Sequence, residues 1–128
     1  MTEEFITLDE SHLFQAVELF KSAFAGEPWH DDWSNQDMLL EYIKEVSCGY
    51  NALNFGFVID GKLVAIALGG IRHWWKGANY NIEEFCVSPD AQKKGIGSRF
   101  LSLRAKEAQK PERGRSTGRI NYGIHKRK

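Results

Sequence analysis

The dipeptide Asp60-Gly61 separates two apolar runs, residues 55–59 and 63–71. Both central positions of a type I′ turn need positive φ. Asp-Gly meets that demand, so the two runs are expected to pair as an antiparallel hairpin. Whatever else folds must pack on this hairpin. Residues 80–87 supply a further strand, stopped by Ser88-Pro89-Asp90, and residues 5–8 a short one near the N-terminus.

Between the first strand and the hairpin the apolar spacing becomes helical. Leu13, Phe14, Val17, Leu19, Phe20 and Phe24 recur behind a cap at Asp9 or Ser11, and Gly26-Glu27-Pro28 breaks the helix. Ser34 is expected to cap a second helix with Met38, Leu39, Tyr42, Ile43 and Val46 on one side, ended by Cys48-Gly49-Tyr50-Asn51. Residues 98–109 read as a third. The order β-α-α-β-β-β-α describes an α/β (α+β) chain with a mixed, mostly antiparallel sheet flanked by helices. At 128 residues and 42% apolar content, the chain suffices for one packed core and not for two.

The 17 Lys/Arg balance the 17 Asp/Glu, yet residues 110–128 hold seven of the basic residues and only Glu112 of the acidic ones. This divides the chain into an acidic body, 1–109, and a basic, divergent tail, 110–128. The tail is read as a solvated terminus rather than a nucleic-acid surface. Met1-Thr2-Glu3-Glu4 is acidic, unlike a signal peptide, and no apolar run approaches the roughly 20 residues that span a bilayer, so a cytoplasmic protein without a membrane partner is expected. Cys48 and Cys86 lack CxxC spacing, and the histidines form neither HxxxH nor HxH pairs, which argues against a disulfide framework or a metal site.

Residues 82–98 join a strand to a helix through Gln92-Lys93-Lys94-Gly95-Ile96-Gly97-Ser98. Two glycines let the main chain approach an anion closely, and the first amides of the following helix point at the same spot, a geometry suited to a pyrophosphate. Lys93, Lys94 and Arg99 add positive charge. A dinucleotide-binding GxGxxG would need Gly or Ala where Phe100 stands, and a P-loop would end in Gly-Lys-Ser/Thr, so both common phosphate motifs fail. A plain glycine-containing loop is the remaining alternative.

Gln92-Lys93-Lys94-Gly95-Ile96-Gly97, preceded by Val87-Ser88-Pro89, resembles the Q/R-x-x-G-x-G/A acyl-CoA signature of the GNAT N-acetyltransferases. The resemblance covers residues 5 to about 109. It implies the GNAT acyl-CoA N-acyltransferase fold and acetyl-CoA as cosubstrate. Amides of Gln92, Lys93, Lys94, Gly95, Ile96, Gly97 and Ser98 would hold the pyrophosphate, and the strand end Phe85, Cys86, Val87 would pair with the pantetheine arm. Transfer would be direct to a primary amine, so Cys86 is read as a small buried hydrophobe rather than a nucleophile.

An amine must lose its proton to attack, and a nearby carboxylate can serve as general base. Strand alternation puts Glu83 with Phe85 and Val87 on one face, and Glu84 with Cys86 on the other. Glu83 is the base implied by resemblance to aminoglycoside-type members, with Glu84 the alternative. Trp29, Asp31, Asp32 and Trp33, between the first two helices, suit a cationic small-molecule acceptor through charge and cation-π contact. Capping and packing onto the core are the other reading of the same four residues. His73-Trp74-Trp75 is read either as a second pocket wall or as the end of an amphipathic hairpin.

Compared with the family pattern, the strand, helix and final hairpin that follow the pyrophosphate helix are missing. Tyr122 is a weak substitute for the usual general-acid tyrosine. An uncovered sheet edge would favour a homodimer, and a catalytically inactive CoA-binding or interaction module is the alternative function.

Overall fold

The computed structural model describes residues 2–26, 29–92, 95–100 and 102. The expectations placed on Glu27, Pro28, Lys93, Lys94, Tyr122 and the 110–128 tail lie outside the described residues.

One sheet has the order β1-β2-β3-β4, built from β1 (Glu3–Thr7), β2 (Phe55–Ile59), β3 (Lys62–Trp74) and β4 (Gly77–Val87). Among the described residues every pairing is antiparallel, in keeping with the mostly antiparallel sheet expected. The Asp60-Gly61 turn forms as the sequence requires. Ile59 pairs with Lys62, and Asp60 and Gly61 take φ of 51° and 81°. A second hairpin is less legible: β3 and β4 run past their expected limits at 71 and 80, closing with Trp74 opposite Gly77. Gly77 takes φ 140°, a conformation open to glycine, and lets Trp75-Lys76 make the bend. His73 and Trp74 therefore belong to a hairpin end.

Helices α1 (Leu13–Ala25) and α2 (Gln36–Ser47) lie on one side of the sheet. Asp9 caps a short 3-10 turn, Glu10–His12, ahead of α1. Its carboxylate accepts from the Ser11 amide at 2.9 Å, and His12 Nδ1 accepts from the Asp9 amide. The cap of α2 is Asn35, one residue beyond the expected Ser34, because the Asn35 side chain reaches the Met38 amide at 3.1 Å while the Ser34 amide is bound by Asp32. Two positions assigned to the apolar faces, Phe14 and Met38, are instead exposed.

The sheet has an apolar layer on each side. Phe20, Leu39 and Ile43 of the helices cover Ile66, Leu68 and Cys86. On the opposite side Phe55, Phe57, Tyr80 and Ile82 pack with Ile96 and Phe100. The Phe100 ring stacks on Phe57 and Phe85 at 5.9 and 5.7 Å. Burying a side chain of this size stabilises by about 1.5–3 kcal/mol, which fixes the helical turn opening at Ile96 against the end of β4.

Candidate functional site

Along β3 and β4 the partners run from Ala65 opposite Val87 to Leu68 opposite Glu84, then resume at Gly69 opposite Ile82. Glu83 is the extra residue of a β-bulge, and strand alternation breaks there. Tyr80 and Ile82 belong to the Phe100 side, and so do Phe85 and Val87, whereas Cys86 belongs to the helix side. Glu84 accepts a hydrogen bond from Tyr42 of α2, and Glu83 lines a cleft with Glu45 and Val46 of the same helix. Both carboxylates therefore face α2. The expectation that Glu83 shares a face with Phe85 and Val87 is corrected, because a strict period of two does not survive an inserted residue.

The two carboxylates have different surroundings. Glu84 is 1% exposed and held by the Tyr42 hydroxyl. A buried carboxylate needs such donors. The Tyr42 ring stacks on Trp33 at 5.7 Å, and Trp33 Nε1 donates to Asp31 at 3.0 Å. Sequence reasoning placed Tyr42 only as an apolar helix position. The available signal was a phenol, rather than a phenyl ring, on the helix face turned toward a strand carrying two acids. Glu83 is more accessible, and its Oε2 lies 3.7 Å from the Arg72 guanidinium of β3.

In the 29–33 segment the side chains make packing and turn contacts. Trp29 meets Phe24 edge-on at 5.7 Å, and Trp33 packs against Phe20 as well as Tyr42. Asp32 Oδ1 accepts from the Ser34 amide at 3.1 Å, and hydrogen bonds from the Ser34 side chain and backbone hold its carboxyl below the ordinary 3.8. Trp33 and Asp31 reach Glu84 through Tyr42.

At the end of β4 the Ser88 amide bonds Val64 O at 2.7 Å, and a 3-10 turn, Pro89–Ala91, leads into the glycine loop. The Gln92 side chain folds back to donate to Val87 O at 3.0 Å, tying the loop to the strand end. Gly95 takes φ 73°, and the chain is helical from Ile96. Among the described residues the first intrahelical bond runs from the Arg99 amide to Gly95 O at 3.2 Å, so the amides of Ile96, Gly97 and Ser98 precede it in the first turn, where a helix presents its donors. Gly97 brings no side chain to that spot, and Ser98 is exposed. These donors fit a pyrophosphate. Arg99 contributes less than expected, because it pairs with Glu3 of β1 at 2.5 Å and lies over the Phe57 ring.

Beside the bulge, a cleft of about 440 Å³ opens between the C-terminal end of α2 and the outer half of the β3–β4 hairpin. Glu45, Glu83 and Arg72 bring charge to it, and Gly69 and Gly70 form part of its floor. Both glycines are required by close backbone. A Cβ at Gly69 would lie 1.9 Å from Asn81 O, and one at Gly70 would lie 2.7 Å from Asn51 O. Among the described residues no group of three or more His, Cys, Asp or Glu is placed to hold a metal, and no helix is long and apolar enough to cross a membrane.

A family profile described as "Acetyltransferase (GNAT) family" matches residues 13–116. The fold is shared with the ribosomal-protein-S18-alanine N-acetyltransferase of Escherichia coli, with a TM-score of 0.62 at 22% identity over 83% of this chain. The chain spans 59% of that protein's length. An aminoglycoside acetyltransferase from an uncultured soil metagenomic sample, solved with sisomicin, superimposes with a TM-score of 0.67 at 16% identity over 98% of this chain and 78% of its own. AAC(6′)-Iy, solved with the bisubstrate analogue CoA-S-monomethyl-acetylneamine, gives 0.66 at 17% identity over 94% and 78%. No curated relative matches the chain in sequence.

Proposed function

This chain belongs to the GNAT acetyltransferase family, and on that premise we propose that it transfers an acetyl group from acetyl-CoA directly to the primary amine of a small acceptor that arrives as an ammonium ion. The observation that carries this reading is that β4 holds the bulge at Glu83 and leads, through the Pro89–Ala91 turn, to the helix-start amides at Ile96, Gly97 and Ser98. The loop would hold the pyrophosphate, and the pantetheine arm would run along Phe85, Cys86 and Val87 so that the thioester ends beside Glu83.

Deprotonation and attack then have a residue and a main-chain group. Glu83 takes the ammonium proton, directly or through water, and the freed nitrogen attacks the thioester carbonyl. A bulge leaves a main-chain amide out of the ladder, a donor suited to the charge that develops on the thioester oxygen. Collapse of the tetrahedral species expels the CoA thiolate, and the nitrogen's remaining extra proton leaves as the amide forms, balancing the charge of the thiolate. Glu84, held by Tyr42, keeps the bulge in place against α2. Tyr122, the weak general-acid candidate of the sequence, lies outside the described residues.

Calorimetric titration with acetyl-CoA tests the cofactor site, using wild type and Ser98→Glu. Ser98 is exposed in the first helical turn. A carboxylate there favours the helix by about 0.3–1 kcal/mol, so the variant keeps its fold while opposing a pyrophosphate. Affinity is expected to fall at least about tenfold, or 1.4 kcal/mol. Equal affinities would place the cofactor elsewhere.

A further inference from the structure

Acetyl transfer to an amine by itself leaves one feature of the cleft without a task. Glu45, Glu83 and the C-terminal end of α2 all favour an ammonium ion, yet Arg72 stands among them. Its guanidinium approaches Glu83 Oε2 at 3.7 Å, and its side chain is 70% exposed. That separation is an ion-pair contact longer than a hydrogen bond. The planar fork of donors therefore remains available to a second anion, and a carboxylate is the group it fits in bidentate fashion.

We infer that the acceptor is a free amino acid, whose ammonium group lies between Glu83 and Glu45 while its carboxylate engages Arg72. The inference rests on the acetyl-transfer reading and narrows its substrate class. Because Arg72 and Glu83 touch, the two charges of the ligand must lie close together, as in an α- or β-amino acid. A polyamine or aminoglycoside would bring further positive charge against Arg72, and a peptide N-terminus carries an amide where the carboxylate should be. Gly69 and Gly70 add no side chain to the lining of the cleft where such a ligand would lie.

The test is an NMR titration of ¹⁵N-labelled protein with glycine, L-leucine, L-lysine and β-alanine, each against its carboxamide. CoA is present in place of acetyl-CoA, so that nothing turns over. Wild type is expected to bind at least one of the free acids about tenfold or more tightly than its amide, a gap of about 1.4 kcal/mol. Arg72→Met, an exposed substitution, is expected to abolish that preference while the amide binds as before. The inference is overturned if the amides bind as well as the acids, if the preference survives in Arg72→Met, or if none of the acids binds. Acetylation of polyamines with no response to carboxylates would sink this inference alone. Amino-acid binding without any affinity for acetyl-CoA would sink the transfer reading instead.

Discussion

Glu83→Gln is expected to lower kcat for amine acetylation by about 10²–10⁴-fold, the usual contribution of a positioned general base, with little change in acetyl-CoA affinity. The geometry separates this carboxylate from its neighbour. Glu83 sits at the bulge, reaches the cleft and is accessible to an incoming amine, whereas Glu84 is buried and bound by Tyr42. Glutamine at 84 still accepts from the Tyr42 hydroxyl, so Glu84→Gln should reduce kcat far less than Glu83→Gln. Steady-state kinetics on the two variants reads the difference. The reverse ranking would make Glu84 the base and Glu83 a partner of Arg72.

Gly69→Ala is expected to be among the most damaging single-methyl additions to the fold. The added Cβ would meet Asn81 O at 1.9 Å, Asn81 C at 3.0 Å and Ile82 Cα at 3.1 Å, all of them backbone atoms of β4. No side-chain rotation relieves such a contact. The strands must separate where the bulge forms, and the cost should reach or exceed the upper end of the about 1–3 kcal/mol typical of overpacking. For a domain of this size that is a fall in Tm of more than about 10 °C. Gly26→Ala is the control, since nothing lies within 4 Å of a Cβ there and its φ is −91°. Thermal unfolding should therefore separate the two variants widely. A Gly69→Ala protein as stable as wild type would mean that β3 and β4 do not approach each other as described.

The bulge is also where the sequence stops being sufficient. Asp60-Gly61 dictates its hairpin locally, through the φ values that the turn demands, and the loop from Gln92 to Ser98 carries its own signature, so both are readable from a few adjacent residues. Glu84 lies with Cys86 as alternation requires, but the face of Glu83 is not readable. It depends on an extra residue in β4 whose accommodation is decided across the sheet by Gly69 and Asn81, and alternation read along one strand holds no record of its partner. The ends of β3 and β4 were hidden for a related reason, because Trp75-Lys76 is an uncommon turn pair and the permissive residue, Gly77, follows it. The tryptophans and aspartates of residues 29–33 carry chemistry that suits either a cation or a core. Only the positions of Phe20, Phe24 and Tyr42 show what the two indole rings pack against.

The central claim is acetyl transfer to an amine, and its most direct measurement is mass spectrometry of the acceptor after incubation with acetyl-CoA. The full chain is offered a panel of small amines, with Glu83→Gln run in parallel. Free CoA should not be the readout, because the exposed Cys48 reacts with the same thiol reagents. The account predicts an acceptor that gains one acetyl group at its amine with wild type and does so at a rate lower by about 10²-fold or more with Glu83→Gln. Tight binding of acetyl-CoA with no acetylated amine from any member of the panel would contradict it, leaving a module that holds the cofactor without using it.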